Sequence, residues 1–128
     1  MSEPLKVLYV DDEPDIREVA VMSLELDGAL EVRSAGSGRE GLALLDQFTP
    51  DAIMLDVMMP GMDGPATLEE IRKRPEHADT PVVFITARAQ AHEQARFLSF
   101  GAVGVITKPF DPMTLAVELR AILSKARA

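Results

Sequence analysis

Short apolar segments alternate five times with amphipathic segments along this 128-residue chain. Near-continuous apolar segments are typical of strands that are buried on both faces of a sheet. The predicted strands are Leu5–Val10, about Leu30–Ala35, Ala52–Leu55, Val82–Ile85 and Val103–Ile106. Strict alternation of strands and helices favours a parallel sheet with right-handed crossovers. The expected fold class is therefore α/β, with a doubly wound, five-stranded parallel sheet of order 2-1-3-4-5 between two layers of helices.

Capping residues indicate where the intervening helices begin and end. Pro14 is expected in the first turn of the first helix, where the N–H that proline lacks would be unpaired anyway. Gly28 is expected to end that helix, and Ser37 with Glu40 predicts a capping box at the second helix. The remaining helices are predicted from Pro65, over about Ala89–Phe100 up to Gly101, and after Asp111–Pro112, the last with an inner stripe of Leu115, Leu119, Ile122 and Leu123.

Charge and composition exclude several classes of function. The formal net charge of −8 opposes general nucleic-acid binding, which needs basic surface to meet phosphates. The chain has no Cys, which excludes disulfides and thiolate metal sites. The apolar runs are too short for a membrane helix, and the N-terminus lacks the features of a signal peptide. We therefore expect a soluble, cytoplasmic protein that binds neither membrane nor nucleic acid directly.

Polar residues stand at the carboxyl ends of four predicted strands, and these ends share one edge of a parallel sheet. They are Asp11, Asp12 and Glu13 after the first strand, Asp56 after the third, Thr86 after the fourth and Lys108 after the fifth. Taken singly, each has a structural explanation, such as acids that complement a helix N-terminus. Taken together, converging carboxylates repel one another, which a hard cation would offset.

The residue types at this edge indicate a particular chemistry. Carboxylate and carbonyl oxygens without His or Cys suit Mg²⁺ or Mn²⁺, and Mg²⁺ commonly shares its ligand shell with a phosphate. Aspartate is a known covalent nucleophile that forms an aspartyl-phosphate. A lysine and a hydroxyl donor are suited to stabilise the transferred phosphoryl group. The edge therefore predicts aspartyl phosphorylation.

Four stretches of the sequence, each containing the end of a predicted strand, resemble the motifs of a known protein family. They read VLYVDDEPDIRE, PDAIMLDVMMPGMDG, PVVFITA and FGAVGVITKPF. Over essentially its whole length the chain resembles the receiver domain of bacterial two-component response regulators. The resemblance implies a flavodoxin-like (βα)5 three-layer sandwich. It also implies one receiver domain over residues 1–128, with no output domain within this chain.

The resemblance further implies a phosphoacceptor and a metal site. Asp56 would accept phosphate from a histidine kinase or a histidine phosphotransfer protein. Asp12, Asp56 and the backbone carbonyl of Met58 would hold Mg²⁺ directly, and Asp11 would act through water. Such a domain catalyses its own phosphorylation and dephosphorylation and is not an enzyme on an outside substrate.

Other residues match the switch elements of the same family. Lys108 would pair with the carboxylate and then with the phosphoryl oxygens, and Thr86 would turn its hydroxyl towards the phosphate. Ala87 is small, as the family needs beside the phosphate, and the Lys108–Pro109 bond resembles the family's cis peptide.

The chain departs from the family at Val105, where many members carry a Tyr or Phe that moves inward together with the Thr hydroxyl. Val105 cannot report phosphorylation by a ring flip. Met58 and Arg88 occupy positions that vary in the family and tune the lifetime of the phosphoryl group. We expect the Arg88 side chain to reach the phosphoryl group or shield it from water.

Three alternatives belong to other classes of protein. A haloacid-dehalogenase-like phosphatase would carry D-x-D-x-T/V after its first strand, whereas this chain reads DDEPD. An FMN-binding protein is disfavoured because three adjacent acids oppose an anionic phosphate. The third is a receiver-fold interaction module that acts independently of phosphorylation.

Output is expected through a downstream protein partner or through an output domain missing from this chain. A homodimer through the last two strand–helix units is a further expectation from the resemblance.

Overall fold

The five predicted strands form one parallel sheet in a computed structural model that describes residues 4–88 and 90–127. In chain order the elements are β1 (Leu5–Val10), α1 (Pro14–Glu25), β2 (Leu30–Ala35), α2 (Gly38–Leu44), β3 (Ala52–Asp56), α3 (Gly64–Arg72), a 3-10 turn (Pro75–His77), β4 (Val82–Thr86), α4 (Ala91–Ser99), β5 (Gly104–Thr107) and α5 (Leu115–Arg127). The strand order is β2-β1-β3-β4-β5, which confirms the predicted topology.

The register of the sheet brings the carboxyl ends of the central strands together. Val10 of β1 lies opposite Leu55 of β3, and Asp56 lies opposite Ile85 of β4. Residues that follow β1 and β3 therefore meet at one edge, with the end of β4 beside them. This edge carries all the candidate site residues that lie at strand ends.

The helix signals are partly confirmed. Pro14 is the first residue of α1, and the Ser37 hydroxyl accepts a hydrogen bond from the Glu40 N–H at the start of α2. Gly101, with φ of 107°, follows α4 in the left-handed region that favours glycine. The predicted start of α4 at residue 89 lies outside the described residues, and the helix is observed from Ala91.

Several boundaries differ from the expectation by one or a few residues, among them those of β3, β4 and β5, which end one residue later than predicted. α1 ends at Glu25 rather than at Gly28, because the Asp27 carboxylate accepts the Ala29 N–H and turns the chain earlier. β5 begins at Gly104, one residue later than predicted. A Cβ at Gly104 would lie 2.6 Å from Ile122, so α5 packs directly on the strand there.

Alternate residues of each strand divide the core into two clusters. Leu68, Ile71 and Phe97 of α3 and α4 pack with one face of the sheet. On the other face, α1 and α5 contribute a second set, namely Ala20, Leu24, Leu115, Leu119 and Leu123. The predicted inner stripe of α5 is thus confirmed, with Ile122 half-buried beside it. The sheet is covered on both faces, as a three-layer sandwich requires.

Among the described residues, no helix combines the length and the apolar character needed to cross a bilayer.

Candidate functional site

Four carboxylates converge where β1 and β3 end. Asp11, Asp12, Glu13 and Asp56 each offer an oxygen, and these oxygens all lie within 4.8 Å of one another. Asp11 and Asp56 are buried, Asp12 is half-buried and Glu13 is exposed. The convergence follows from the topology, because β1 and β3 are hydrogen-bonded neighbours and both run towards this edge.

Lys108 extends across the end of β4 into this acidic cluster. Its Nζ lies 3.0 Å from Asp11 Oδ2, 3.3 Å from Asp56 Oδ1 and 3.3 Å from Glu13 Oε1. Burial lowers the pKa of Lys108, but its hydrogen bonds and charge attraction to Asp11 and Asp56 outweigh burial and raise it. The ammonium therefore stays charged and is shared among three carboxylates.

The cluster is electrostatically unfavourable for Asp56. Burial, and then the charge of Asp11, raise the pKa of Asp56 to about 7, although Lys108 opposes this shift. One ammonium thus offsets only part of the negative charge. The donor set consists of carboxylate oxygens, which are the ligands that Mg²⁺ and Mn²⁺ prefer, so these residues fit a hard divalent cation.

Asp11 is held by contacts that the strand-end argument did not reveal. The Tyr9 hydroxyl donates to Asp11 Oδ2 at 3.0 Å, and the Glu13 N–H donates to Oδ1 at 3.0 Å. Arg17 Nη1 donates to the backbone carbonyl of Asp11 at 2.7 Å. Tyr9 and Asp11 are two residues apart on a strand and share a face, a signal that the sequence does contain. No such signal exists for Arg17, whose contact depends on how α1 packs back.

Thr86 ends β4 at the same edge and is buried. Its Oγ1 accepts the backbone N–H of Arg88 at 3.0 Å. The N-cap of α4 is Gln90, so Thr86 is not the cap of that helix. The side chains of Ala87 and Arg88 are exposed beside it.

Three further predicted features are the Met58 side chain, the Lys108–Pro109 bond and Val105. Met58, two residues after Asp56, has an exposed side chain. The Lys108–Pro109 peptide bond is cis. Val105 of β5 lies opposite Phe84 of β4 and is half-buried against the core.

The chain that follows Asp56 is fixed by a close backbone approach. The Gly64 N–H donates to the Val57 carbonyl at 2.9 Å. A Cβ at Gly64 would lie 2.7 Å from the Asp56 carbonyl oxygen and 2.8 Å from Val57 Cα. The Asp63 carboxylate caps α3 by accepting the Ala66 N–H. The start of α3 therefore lies directly against the backbone of Asp56.

An open cavity of about 510 Å³ lies beside the acidic cluster. Its apolar walls come from α1 and from the segment after β5, with Lys108 and Ala87 on its border; the walls include Ile16, Val19, Pro109, Phe110 and Pro112. A second groove shares Val19 and Pro112 and continues along α1 past Met22 to Leu26. An apolar channel thus leads from the surface of α1 to the acidic cluster.

Comparison with known proteins agrees with this geometry. A family model described as the response regulator receiver domain matches residues 7–120. Response regulator Rre1 of Synechocystis is 34% identical over 128 residues, which cover 100% of this chain and 55% of that protein. The DNA-binding dual master transcriptional regulator RpaA of Synechocystis is 36% identical, over 94% of this chain and 49% of that protein.

A solved structure extends the likeness to the fold. The chemotaxis response regulator CheY4 of Vibrio cholerae aligns with a TM-score of 0.86 and 34% identity, covering 93% of this chain and 98% of that one. By contrast, the chain spans about half the length of the curated relatives that it matches.

Proposed function

The chain belongs to the response regulator receiver domain family of two-component systems, and on that premise we propose that Asp56 is its phosphoacceptor. The phosphoryl donor is a histidine kinase or a histidine phosphotransfer protein. The observation that carries the proposal is the placement of Asp56, buried within the acidic cluster and contacted by Lys108 at 3.3 Å.

Phosphoryl transfer requires Asp56 as the nucleophile. A carboxylate oxygen of Asp56 forms a bond to phosphorus as the phosphorus–nitrogen bond of the donor's phosphohistidine breaks, and the electron pair of that bond returns to the imidazole. Lys108 turns from the carboxylates to the phosphoryl oxygens and stabilises their charge. Later attack by water on phosphorus releases phosphate and restores the Asp56 carboxylate.

The acidic cluster also has the ligands for a cation in this reaction. Asp12, Asp56 and the Met58 carbonyl would hold Mg²⁺ or Mn²⁺, with Asp11 acting through water. When bound, the ion supplies positive charge to the phosphoryl oxygens. This assignment rests on the carboxylate donor set and on the raised pKa of Asp56, a sign of negative charge that Lys108 does not fully offset.

The conformational response begins at Thr86. Its hydroxyl oxygen holds the Arg88 N–H, so turning the hydroxyl towards a phosphoryl group frees that amide and moves the chain after β4. Ala87 leaves room beside the phosphoryl group, and the exposed Arg88 side chain shields it from water. Val105 lacks an aromatic ring, so the backbone after β4 carries the signal instead.

The apolar channel along α1 supports a protein donor. Val19, Met22 and Leu26 are exposed there, and the channel ends at Lys108. An apolar helix surface of the donor that covers this channel would bring its phosphohistidine to Asp56.

The proposal also includes a cytoplasmic location and one receiver domain over residues 1–128. Output would pass through a downstream partner, through an output domain outside this chain, or through a homodimer of the last two strand–helix units.

Labelling by a small phosphodonor tests the proposal. We expect acetyl phosphate with Mg²⁺ to add one phosphoryl group to the wild type, detected by intact mass, and EDTA to prevent it. Asp56→Ala should abolish the label. Asp46→Ala, which removes an exposed carboxylate that pairs with Arg74 outside the acidic cluster, should leave labelling unchanged and serves as the matched control.

The competing function is an interaction module that acts without phosphorylation. Absence of label on the wild type, under conditions that label a control receiver domain, would favour that module. Label that persists in Asp56→Ala would contradict the assignment of the acceptor.

A further inference from the structure

The hydroxyl of Tyr9 is directed at the acidic cluster from inside the core. Tyr9 has no exposed surface, and its hydroxyl donates to Asp11 Oδ2 at 3.0 Å. It is the sole tyrosine of the chain. The other fully buried residues of this cluster have no ring, among them Val7, Met54 and Ile106, while Phe110 packs against it partly buried. A phenylalanine would fill the same space, so packing alone does not account for the hydroxyl.

The contacts of Asp11 show what that hydroxyl does. Oδ2 receives two donors, Tyr9 and the Lys108 ammonium, both at 3.0 Å, and Oδ1 receives the Glu13 N–H. Asp11 has no exposed surface, so bulk water cannot replace a donor that leaves. A buried carboxylate that loses its donors is strongly unfavourable.

Lys108 is the donor that leaves during the proposed reaction. Its ammonium contacts Asp11 and Asp56 at the same time, and a phosphoryl group on Asp56 adds oxygens that compete with Asp11 for its three N–H donors. The free-energy cost of that movement depends on which donors still hydrogen-bond to Asp11 afterwards. The Tyr9 hydroxyl remains on the same oxygen that Lys108 vacates.

We propose that Tyr9 is a positioning residue that holds the Asp11 carboxylate when Lys108 turns to the phosphoryl group, an inference that rests on the proposed phosphoacceptor function. Tyr9 does not touch the phosphoryl group and acts only through Asp11.

A phosphoryl analogue separates this role from simple packing. For Tyr9→Phe we expect the affinity for beryllofluoride in the presence of Mg²⁺ to fall about tenfold, as expected for the loss of one hydrogen bond to a charged group. The affinity for Mg²⁺ alone should change less than about twofold, because Lys108 still holds Asp11 in that state. Isothermal titration calorimetry of the folded protein measures both affinities.

Thr80→Val is the matched control. It removes a half-buried hydroxyl that pairs with His77 Nδ1 at 2.9 Å before β4 and outside the acidic cluster, and it should leave both affinities unchanged. Equal losses of Mg²⁺ and beryllofluoride affinity in Tyr9→Phe, or no loss at all, would overturn the role of Tyr9. Failure of the wild type to bind beryllofluoride with Mg²⁺ would instead overturn the proposed function.

A second measurement does not depend on the folding of a variant. Because Tyr9 is the sole tyrosine, incorporation of 3-fluorotyrosine labels this position alone. We expect its ¹⁹F resonance to shift when beryllofluoride is added to the Mg²⁺-loaded protein, since the hydrogen bond to Asp11 strengthens as Lys108 leaves. An unchanged resonance would contradict the proposal.

Discussion

Asp56 combines burial with a high density of negative charge. Its side chain lies beside Asp11, Asp12 and Glu13, and Lys108 is the cation in contact with it. A folded-state pKa of about 7 means that the native protein binds a proton at Asp56 more tightly than the unfolded chain does. The contribution of Asp56 to stability therefore falls as the pH rises from about 4 to about 7, because the native state binds the proton at this group more tightly over that range.

Replacing this carboxylate should stabilise the metal-free protein at alkaline pH. In EDTA at pH 8 we expect Asp56→Asn to raise the free energy of unfolding by on the order of 2 kcal/mol, the scale of a poorly compensated buried charge. At pH 5 the difference should shrink, because Asp56 of the wild type is then protonated. Urea denaturation at both pH values measures the difference.

Asp46→Asn provides the comparison for this experiment. Asp46 is exposed and pairs with Arg74 at the surface, so its replacement should change stability by less than about 1 kcal/mol at either pH. If the Asp56→Asn variant gains no more stability at pH 8 than at pH 5, then burial and the nearby negative charges do not raise the pKa of Asp56.

Among the elements, β3 and α3 approach each other closely through their backbones where the site is built. The first residue of α3, Gly64, touches the backbone of Asp56 and Val57, which leaves no space for a side chain. The loop between them contains Met58, whose carbonyl is a proposed cation ligand. The position of α3 therefore governs both the acceptor carboxylate and one candidate ligand.

Adding a single methyl group should disturb this junction. We expect Gly64→Ala to lower the free energy of unfolding by about 2 kcal/mol, the usual cost of overpacking a rigid site. It should also weaken Mg²⁺ binding, because the Asp56 backbone must move. Urea denaturation and calorimetric titration with Mg²⁺ measure the two effects.

Gly28→Ala tests whether space, rather than loss of a glycine, causes the effect. Nothing lies within 4 Å of a Cβ at Gly28, and we expect stability and Mg²⁺ affinity to stay near those of the wild type. Equal losses in the two variants would rule out the close approach at Gly64 as the cause.

Across the whole molecule, the sheet separates two hydrophobic clusters. Ile71 belongs to the cluster beneath α3 and α4, and Ile106 to the one beneath α1 and α5. Within the first cluster, the rings of Phe84 and Phe97 meet edge to face with centroids 5.5 Å apart. The two clusters therefore lie on opposite faces of one sheet, whereas the rings of Phe84 and Phe97 are in direct contact.

Double-mutant cycles should reflect this layering. Ile71→Val and Ile106→Val should each cost about 1 kcal/mol, and their combination should equal the sum within about 0.5 kcal/mol. Phe84→Leu and Phe97→Leu should be non-additive by about 0.5–1.5 kcal/mol, because they share one aromatic contact. Urea denaturation of the single and double variants measures both cycles, and strong coupling between Ile71 and Ile106 would contradict the separation.

The sequence by itself determined the order of the elements and the residues at the strand ends. β1 and β2 have the predicted bounds, and the sheet order follows from the strict alternation of strands and helices. The ends of the helices were harder to predict. α1 ends where the Asp27 side chain turns the chain rather than at Gly28, because several residues in a row there favour a turn. The convergence of Asp11 with Asp56 was predictable because parallel strands end at one edge.

Only the tertiary structure decided how those residues interact. Lys108 reaches Asp11 from a segment 97 residues away in the chain. The contacts of Arg17 with the Asp11 carbonyl and of Gly64 with the Asp56 backbone join residues that are closer in sequence, but they too depend on how a helix packs back on a strand end. The bond from Tyr9 to Asp11 is local in sequence, yet its formation depends on the side-chain direction that the core imposes. Local patterns specify which face a residue occupies, whereas hydrogen bonds require positions accurate to a fraction of an ångström, which the assembled core alone provides.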